Sequence, residues 1–164
     1  MVLALGSNLG DRLDNLQGAV DALSDTPGLS FVAVSPVYET APVGGPRQPA
    51  YLNAVTVVVT ALPGRAILDR AHAIEEAFGR VREQRWGPRT LDVDVIVSGD
   101  ETSDDPELTL PHPRAHERAF VLAPWHDIEP DAVIPGRGRV ADLFAAAGLD
   151  GVRRVSGSEL QPPP

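Results

Sequence analysis

Apolar residues change their spacing along the chain in a regular order, and that order predicts the elements. Val2 to Leu5 form a short apolar run that stops at Gly6-Ser7-Asn8, a buried strand entering a turn. From Asp11 onward Leu13, Leu16, Val20 and Leu23 recur at helical spacing, until Thr26-Pro27-Gly28 breaks the pattern. Leu29 to Ser35 is rich in β-branched and aromatic residues and predicts a second strand. Thr40 to Pro49 holds three prolines and two adjacent glycines, which predicts a long surface loop of the kind that often carries function. Tyr51 to Thr60, dense in valine, is the clearest strand.

A second helix is predicted from near Pro63, with Ile67, Ala71, Ile74 and Phe78 on one face and Gly79 as its stop. An arginine-rich stretch at 80–89 leads into a strand over Leu91 to Val97. Gly99 to Pro106 predicts a solvated acidic turn; His116 to Trp125 and Val140 to Ala147 predict short helices, the latter closed by Gly148. Val152 to Val155 adds a last short strand, and residues 155–164 are expected to form a frayed tail. The order β-α-β-β-α-β over the first hundred residues is the split, ferredoxin-like pattern. The expected fold is therefore α+β, a mainly antiparallel sheet with helices packed on its faces in α/β/α layers, as one domain over 1–164.

Charge and composition narrow the function. The 164 residues carry 14 basic and 23 acidic side chains, a net charge of −9, which argues against a protein that coats nucleic acid or an anionic membrane. The absence of cysteine removes thiol catalysis, disulfides and thiolate metal sites. All of the basic residues are arginine, so a lysine P-loop and Schiff-base chemistry are excluded, and any bound phosphate falls to arginine, metal or backbone amides. The longest nearly apolar run, Ala54 to Leu62, is too short to span a bilayer, and no signal peptide is visible at the N-terminus. A cytoplasmic protein is expected.

The strongest chemical feature is Arg85-Trp86-Gly87-Pro88-Arg89-Thr90-Leu91-Asp92-Val93-Asp94. Strand alternation puts Leu91, Val93, Val95 and Val97 on one apolar face and Asp92 and Asp94 on the other, roughly 7 Å apart. Two carboxylates so placed are either a solvated acidic edge or a site for a divalent cation, and oxygen donors favour Mg²⁺. Arg80, Arg82, Arg85 and Arg89 next to that pair outline a pocket for a nucleoside triphosphate, because the guanidinium fork suits phosphate. Tyr51 and Asn53 lie two apart in a strand and so share a face, which allows one flat ligand to meet both; equally, one caps the loop and the other ends a core stripe. His72 and Glu75 read from the residues alone as a solvated flank of the second helix, and Phe120 as core. His112 and His116 stand four apart but lack a third nitrogen or sulfur ligand nearby in sequence, so zinc is set aside.

With its flanks, this stretch resembles the 6-hydroxymethyl-7,8-dihydropterin pyrophosphokinase family of folate biosynthesis. Gly6-Ser7-Asn8-Leu9-Gly10, Tyr38-Glu39-Thr40-Ala41-Pro42, Tyr51-Leu52-Asn53-Ala54, Leu110-Pro111-His112 and Arg118-Ala119-Phe120 follow the family's order from about residue 2 to residue 135. The resemblance implies transfer of diphosphate from ATP to the pterin's hydroxymethyl group, with two Mg²⁺ ions held by Asp92 and Asp94. It implies pterin contacts from Thr40, Val43, Tyr51, Asn53 and Phe120. Around ATP it implies Glu75, Arg82, Arg85, Trp86, Arg89, His112 and Arg118, with Arg80 and Arg89 acting in catalysis alongside the two aspartates. The expected partners are these small molecules, with no nucleic acid and no membrane, and the chain is expected to act as a monomer. Departures from the pattern are His72 in place of a common glutamine, Pro113 after His112, and a loop from Arg82 to Arg85 one residue shorter than in some relatives. A metal-dependent nuclease and a non-catalytic ferredoxin-like regulatory domain are the rival readings.

Overall fold

The computed structural model describes residues 1–41, 49–79 and 90–163. Strand β1 (Val2–Ser7) leads into helix α1 (Arg12–Ser24), followed by β2 (Leu29–Val34), β3 (Tyr38–Thr40), β4 (Tyr51–Thr60), α2 (Gly64–Ala77) and β5 (Asp92–Val97). A hairpin of β6 (Ser103–Asp105) and β7 (Leu108–Leu110) comes next, then a 3₁₀ turn at Ala115–Glu117 and α3 (Ala119–Ile128). The chain ends with a small β8 (Val133–Ile134) and β9 (Gly138–Arg139) pair, α4 (Val140–Ala147) and β10 (Val152–Arg154).

The main sheet runs β10-β3-β4-β1-β5, with β2 paired to the second half of β4, and every pairing in it is antiparallel. This is the expected ferredoxin-like arrangement: α1 leads from β1 to β2 and α2 from β4 to β5 across one face, while β4 lies between β1 on one side and β2 and β3 on the other. Among the described residues no helix is long and apolar enough to cross a membrane.

Alternation along the strands feeds two cores. Leu3, Leu5, Leu52, Ala54, Val93 and Val95 face α1 and α2, where Leu16, Ala19, Val20, Leu23, Ile67, Ala71 and Ile74 close a continuous apolar layer. Asp11 caps α1 by accepting from Asp14 N–H at 3.1 Å. Gly18 on α1 leaves room for the Phe78 ring at the end of α2; a Cβ there would collide with it. On the other face Val2, Val55, Val57 and Ile96 meet Val121, Leu122 and Trp125 of α3 and Val140 of α4. Trp125 is 1% exposed, and its indole N–H donates to Glu129 Oε1 at 2.9 Å.

Several local expectations are corrected. Val97 does not share the face of Val93 and Val95: Val2 pairs with Val97 but Leu3 with Val95, so Ile96 is an extra residue and the bulge turns Val97 to the second core. Thr40 is not in a loop but ends β3, which takes up the edge of β4 after Ser35-Pro36 interrupts the previous strand. The acidic segment after Gly99 folds as the β6–β7 hairpin, and Leu110 packs into the first core. The tail is not frayed from residue 155: Leu160 is buried in the first core, and Gln161 exchanges hydrogen bonds with Gln17 at 2.8 and 3.1 Å.

Candidate active site

Cross-strand register assembles the polar residues. Tyr38 of β3 pairs with Asn53 of β4, Asn53 with Gly6 of β1, and Gly6 with Asp92 of β5. One step along, Thr40 pairs with Tyr51; on the other side, Ala4 stands between Val55 and Asp94. Residues paired across an antiparallel ladder point to the same face, so Thr40, Tyr51, Asn53, Asp92 and Asp94 all rise on the face that carries α3. Between the Asn53 and Asp92 side chains lies only Gly6, which has none.

The close fit at Gly6 is measurable. A Cβ built there would lie 3.3 Å from Asn53 Oδ1 and 3.6 Å from Tyr51 Cδ1. Asn53 is buried, and its Nδ2 donates to Thr40 Oγ1 at 2.6 Å, which leaves the amide oxygen over the glycine floor. Tyr51 is half-buried beside it. Tyr38, at the far end of the row, donates its hydroxyl to Asp127 Oδ2 at 2.6 Å and so ties α3 to the sheet. Burial first and the Asp127 bond second push the Tyr38 phenol up to about 12.

At the other end of the row, His112 and Arg118 stand within electrostatic reach of the aspartates. His112 is fixed by its backbone, whose N–H donates to Ile96 O at 2.8 Å, and its Nδ1 accepts from Arg114 N–H at 3.2 Å. The proton of neutral His112 therefore sits on Nε2. Burial lowers the His112 pKa, with Asp94 opposing and Arg118 and Arg114 assisting. Arg118, at the start of α3, is also lowered by burial and supported mainly by Asp94, with a smaller contribution from Asp92. Its guanidinium carbon lies 5.5 Å from the centre of the half-buried Phe120 ring, a cation–π contact that sets Phe120 beside the charged cluster.

The donors suit a hard divalent cation. Asp92 and Asp94 offer oxygen only, Asp94 is exposed, and among the described residues no group of three His, Asp or Glu side chains forms a closed cage. Mg²⁺ characteristically takes one or two carboxylates and leaves its other positions to water and phosphate, which this pair allows.

Glu75 departs from its expectation as a solvated flank. It is 2% exposed, on the α2 side of β5, and its Oε2 accepts from Val93 N–H at 3.0 Å, between the two aspartates. Because β5 ends the sheet among the described residues, this carboxylate satisfies a donor on the strand's outer edge. His72, three residues earlier, is exposed as expected. Val43, Arg80, Arg82, Arg85, Trp86 and Arg89 lie outside the described residues.

Sequence reasoning missed Asn15, whose Nδ2 donates to Ser7 Oγ, Leu9 O and Thr90 O at 3.2, 3.0 and 3.1 Å and so joins the turn after β1 to the entry of β5. An asparagine inside a helix, where it is intrinsically unfavourable, was the available signal.

The profile of the 7,8-dihydro-6-hydroxymethylpterin-pyrophosphokinase (HPPK) family matches residues 2–130. A Pseudomonas aeruginosa 2-amino-4-hydroxy-6-hydroxymethyldihydropteridine pyrophosphokinase is 42% identical over 156 residues, 95% of this chain and 96% of that protein. A Mycobacterium leprae protein of the same name is 51% identical, over 89% of this chain and 81% of its own. In three dimensions the chain is similar to a Plasmodium falciparum HPPK-DHPS triple mutant with pteroate, at TM-score 0.72 and 15% identity. That match covers 93% of this chain but 46% of the longer one, and it bears on the fold alone. By profile and by relatives along nearly its whole length, the chain belongs to the 7,8-dihydro-6-hydroxymethylpterin-pyrophosphokinase family.

Proposed function

We propose that the chain transfers the terminal diphosphate of ATP to the hydroxymethyl oxygen of 6-hydroxymethyl-7,8-dihydropterin, releasing AMP, as a step of folate biosynthesis. The observation that supports the mechanistic reading is the register row Asn53–Gly6–Asp92, in which Asn53 and the Asp92–Asp94 pair stand two strands apart, about 10 Å, with side-chain-free Gly6 between them. A two-ring heterocycle with a one-carbon arm covers a span of that order.

In this reading Asn53 Oδ1 accepts from the pterin's amide-like edge, and Thr40 holds the amide in that orientation. Tyr51 and Phe120 enclose the ring, and Val43 completes recognition from the loop. Asp92 and Asp94 hold Mg²⁺, two ions by the family pattern. When bound there, Mg²⁺ supplies charge neutralisation on the triphosphate and lowers the pKa of the acceptor alcohol. Arg118 counters charge on the phosphates, and His112 donates from Nε2 while remaining neutral. Glu75, Arg82, Arg85, Trp86 and Arg89 complete the ATP site, with Arg80 and Arg89 facing the transferring group.

The acceptor oxygen attacks the β-phosphorus in line as the bond from that phosphorus to the α,β-bridging oxygen breaks. AMP leaves with that oxygen, and the alcohol proton is lost to solvent. The reading extends to a cytoplasmic enzyme acting as a monomer.

The test mixes the protein with ATP, Mg²⁺ and 6-hydroxymethyl-7,8-dihydropterin and follows adenine nucleotides by chromatography. AMP formed one-for-one with a pterin diphosphate, dependent on both pterin and metal, is the expected result. ADP as the product, or nucleotide binding without turnover, overturns it.

A further inference from the structure

Arg12 occupies the first position of α1, where a cation opposes the helix dipole, so its place calls for a partner elsewhere. Its Nη1 donates to Ala50 O at 2.8 Å and to Glu39 Oε2 at 3.3 Å. Glu39 precedes Thr40 in β3, and Ala50 precedes Tyr51 in β4. Thr40 and Tyr51 form the last pair of the ladder before the two strands part. One guanidinium therefore spans both stems of the connection between those strands.

Three further contacts reinforce the junction. Buried Asn8, from the same turn before α1, donates through Nδ2 to Pro49 O at 3.1 Å. The second oxygen of Glu39 accepts from Arg153 Nη2 at 2.7 Å, and Ala41 N–H donates to Gly151 O at 3.0 Å, which tie β3 to the last strand. Strand alternation turns Glu39 to the α1 side of the sheet, opposite to Thr40. The clamp thus lies behind the candidate pterin residues and does not share their face.

We propose that Arg12 is a positioning residue for pterin recognition: by bridging Glu39 and Ala50 it fixes the separation of Thr40 and Tyr51, and with it the seat of the ring. Thr40 in turn orients Asn53, so the clamp acts on hydrogen bonding and stacking together. The inference rests on the pterin reading of these three residues. It assigns a task to the first residue of α1, an arginine that no motif for chemistry includes.

The test compares steady-state kinetics of Arg12→Met, Arg12→Lys, Glu39→Gln and Arg153→Met with the parent enzyme, varying pterin and ATP separately, alongside thermal melting. Arg12→Met is expected to raise the pterin KM about tenfold, with kcat and the ATP KM within about twofold. Arg12→Lys keeps the charge on a shorter side chain, and its pterin KM falls between the two. Arg153→Met, which frees only one oxygen of Glu39, stays near the parent value. An unchanged pterin KM in Arg12→Met, or equal rises for both substrates in step with a lower melting temperature, overturns the proposal. Should Arg12→Met fail to fold, parent-like pterin KM values in both Arg12→Lys and Glu39→Gln overturn it instead. A parent enzyme without pterin-dependent AMP release is a different result, since it removes the pterin reading before any variant is compared.

Discussion

The two faces of the main sheet come from the same strands and are of opposite character. Toward α1 and α2, β1, β4 and β5 present Leu3, Leu5, Leu52, Ala54, Val93 and Val95, closed by leucine, isoleucine and alanine from the helices. Toward α3, the ends of those strands present Gly6, Tyr51, Asn53, Asp92 and Asp94, and apolar packing begins only further along, at Val2, Val55, Val57 and Ile96. A strand alternates, so one side can carry stability while the other carries charge without either sequence pattern disturbing the other. The sharpest illustration is β5, where buried Val93 separates two aspartates.

The largest expected effect sits on the second face. Asp94→Ala should lower kcat/KM by about a thousandfold, about 4 kcal/mol of transition-state stabilisation, while the melting temperature holds or rises as two like charges become one. A large loss of stability with little loss of turnover would erase the division between the faces. Next comes the first face: Leu16, fully buried, should cost about 3 kcal/mol in urea unfolding when changed to alanine, with activity per folded molecule retained. Gly6→Ala probes the floor between the two. Its Cβ crowds Asn53 and Tyr51, and a rise of about tenfold in pterin KM, about 1.4 kcal/mol, is expected with nucleotide affinity unchanged.

Tyr38→Phe should cost about 1 kcal/mol by freeing Asp127 from its hydrogen bond. Because the folded phenol titrates near 12 against an ordinary 10.0, the unfolded chain loses its proton first. Stability therefore falls as pH rises through that window, and this slope disappears in the variant. The smallest effect belongs to His112. Its folded pKa lies below the ordinary 6.5, so the unfolded chain takes up a proton first as pH falls, and stability declines below that value. Changing His112 to asparagine should flatten this acid limb in denaturation curves recorded across pH.

The parts legible in the sequence are those governed by a local period. Leu16, Val20 and Leu23 announced α1, the valines of β4 announced its strand, and the Asp92–Asp94 and Tyr51–Asn53 pairs followed from alternation alone. What escaped has no period. β3 is three residues long and exists because β4 offers it an edge. Val97 changes sides through a single inserted residue, which periodicity cannot register. Tyr38 meets Asp127 across 89 positions, Asn15 meets Thr90 across 75, and Arg12 meets Glu39 across 27. Such partners are chosen by topology, so the supports of a site stay hidden in a sequence that displays the site's own donors.

The sealing of Trp125 has an optical consequence. The chain has two tryptophans, and this one is enclosed in the second core with its indole N–H held by Glu129. Its emission should be blue-shifted, sheltered from iodide or acrylamide, and indifferent to added nucleotide. The other indole, Trp86, stands between Arg85 and Gly87 in the stretch assigned to ATP. Fluorescence of the unmodified protein thus contains its own reference: under the proposed function, any component that changes on titration with ATP is expected to come from position 86.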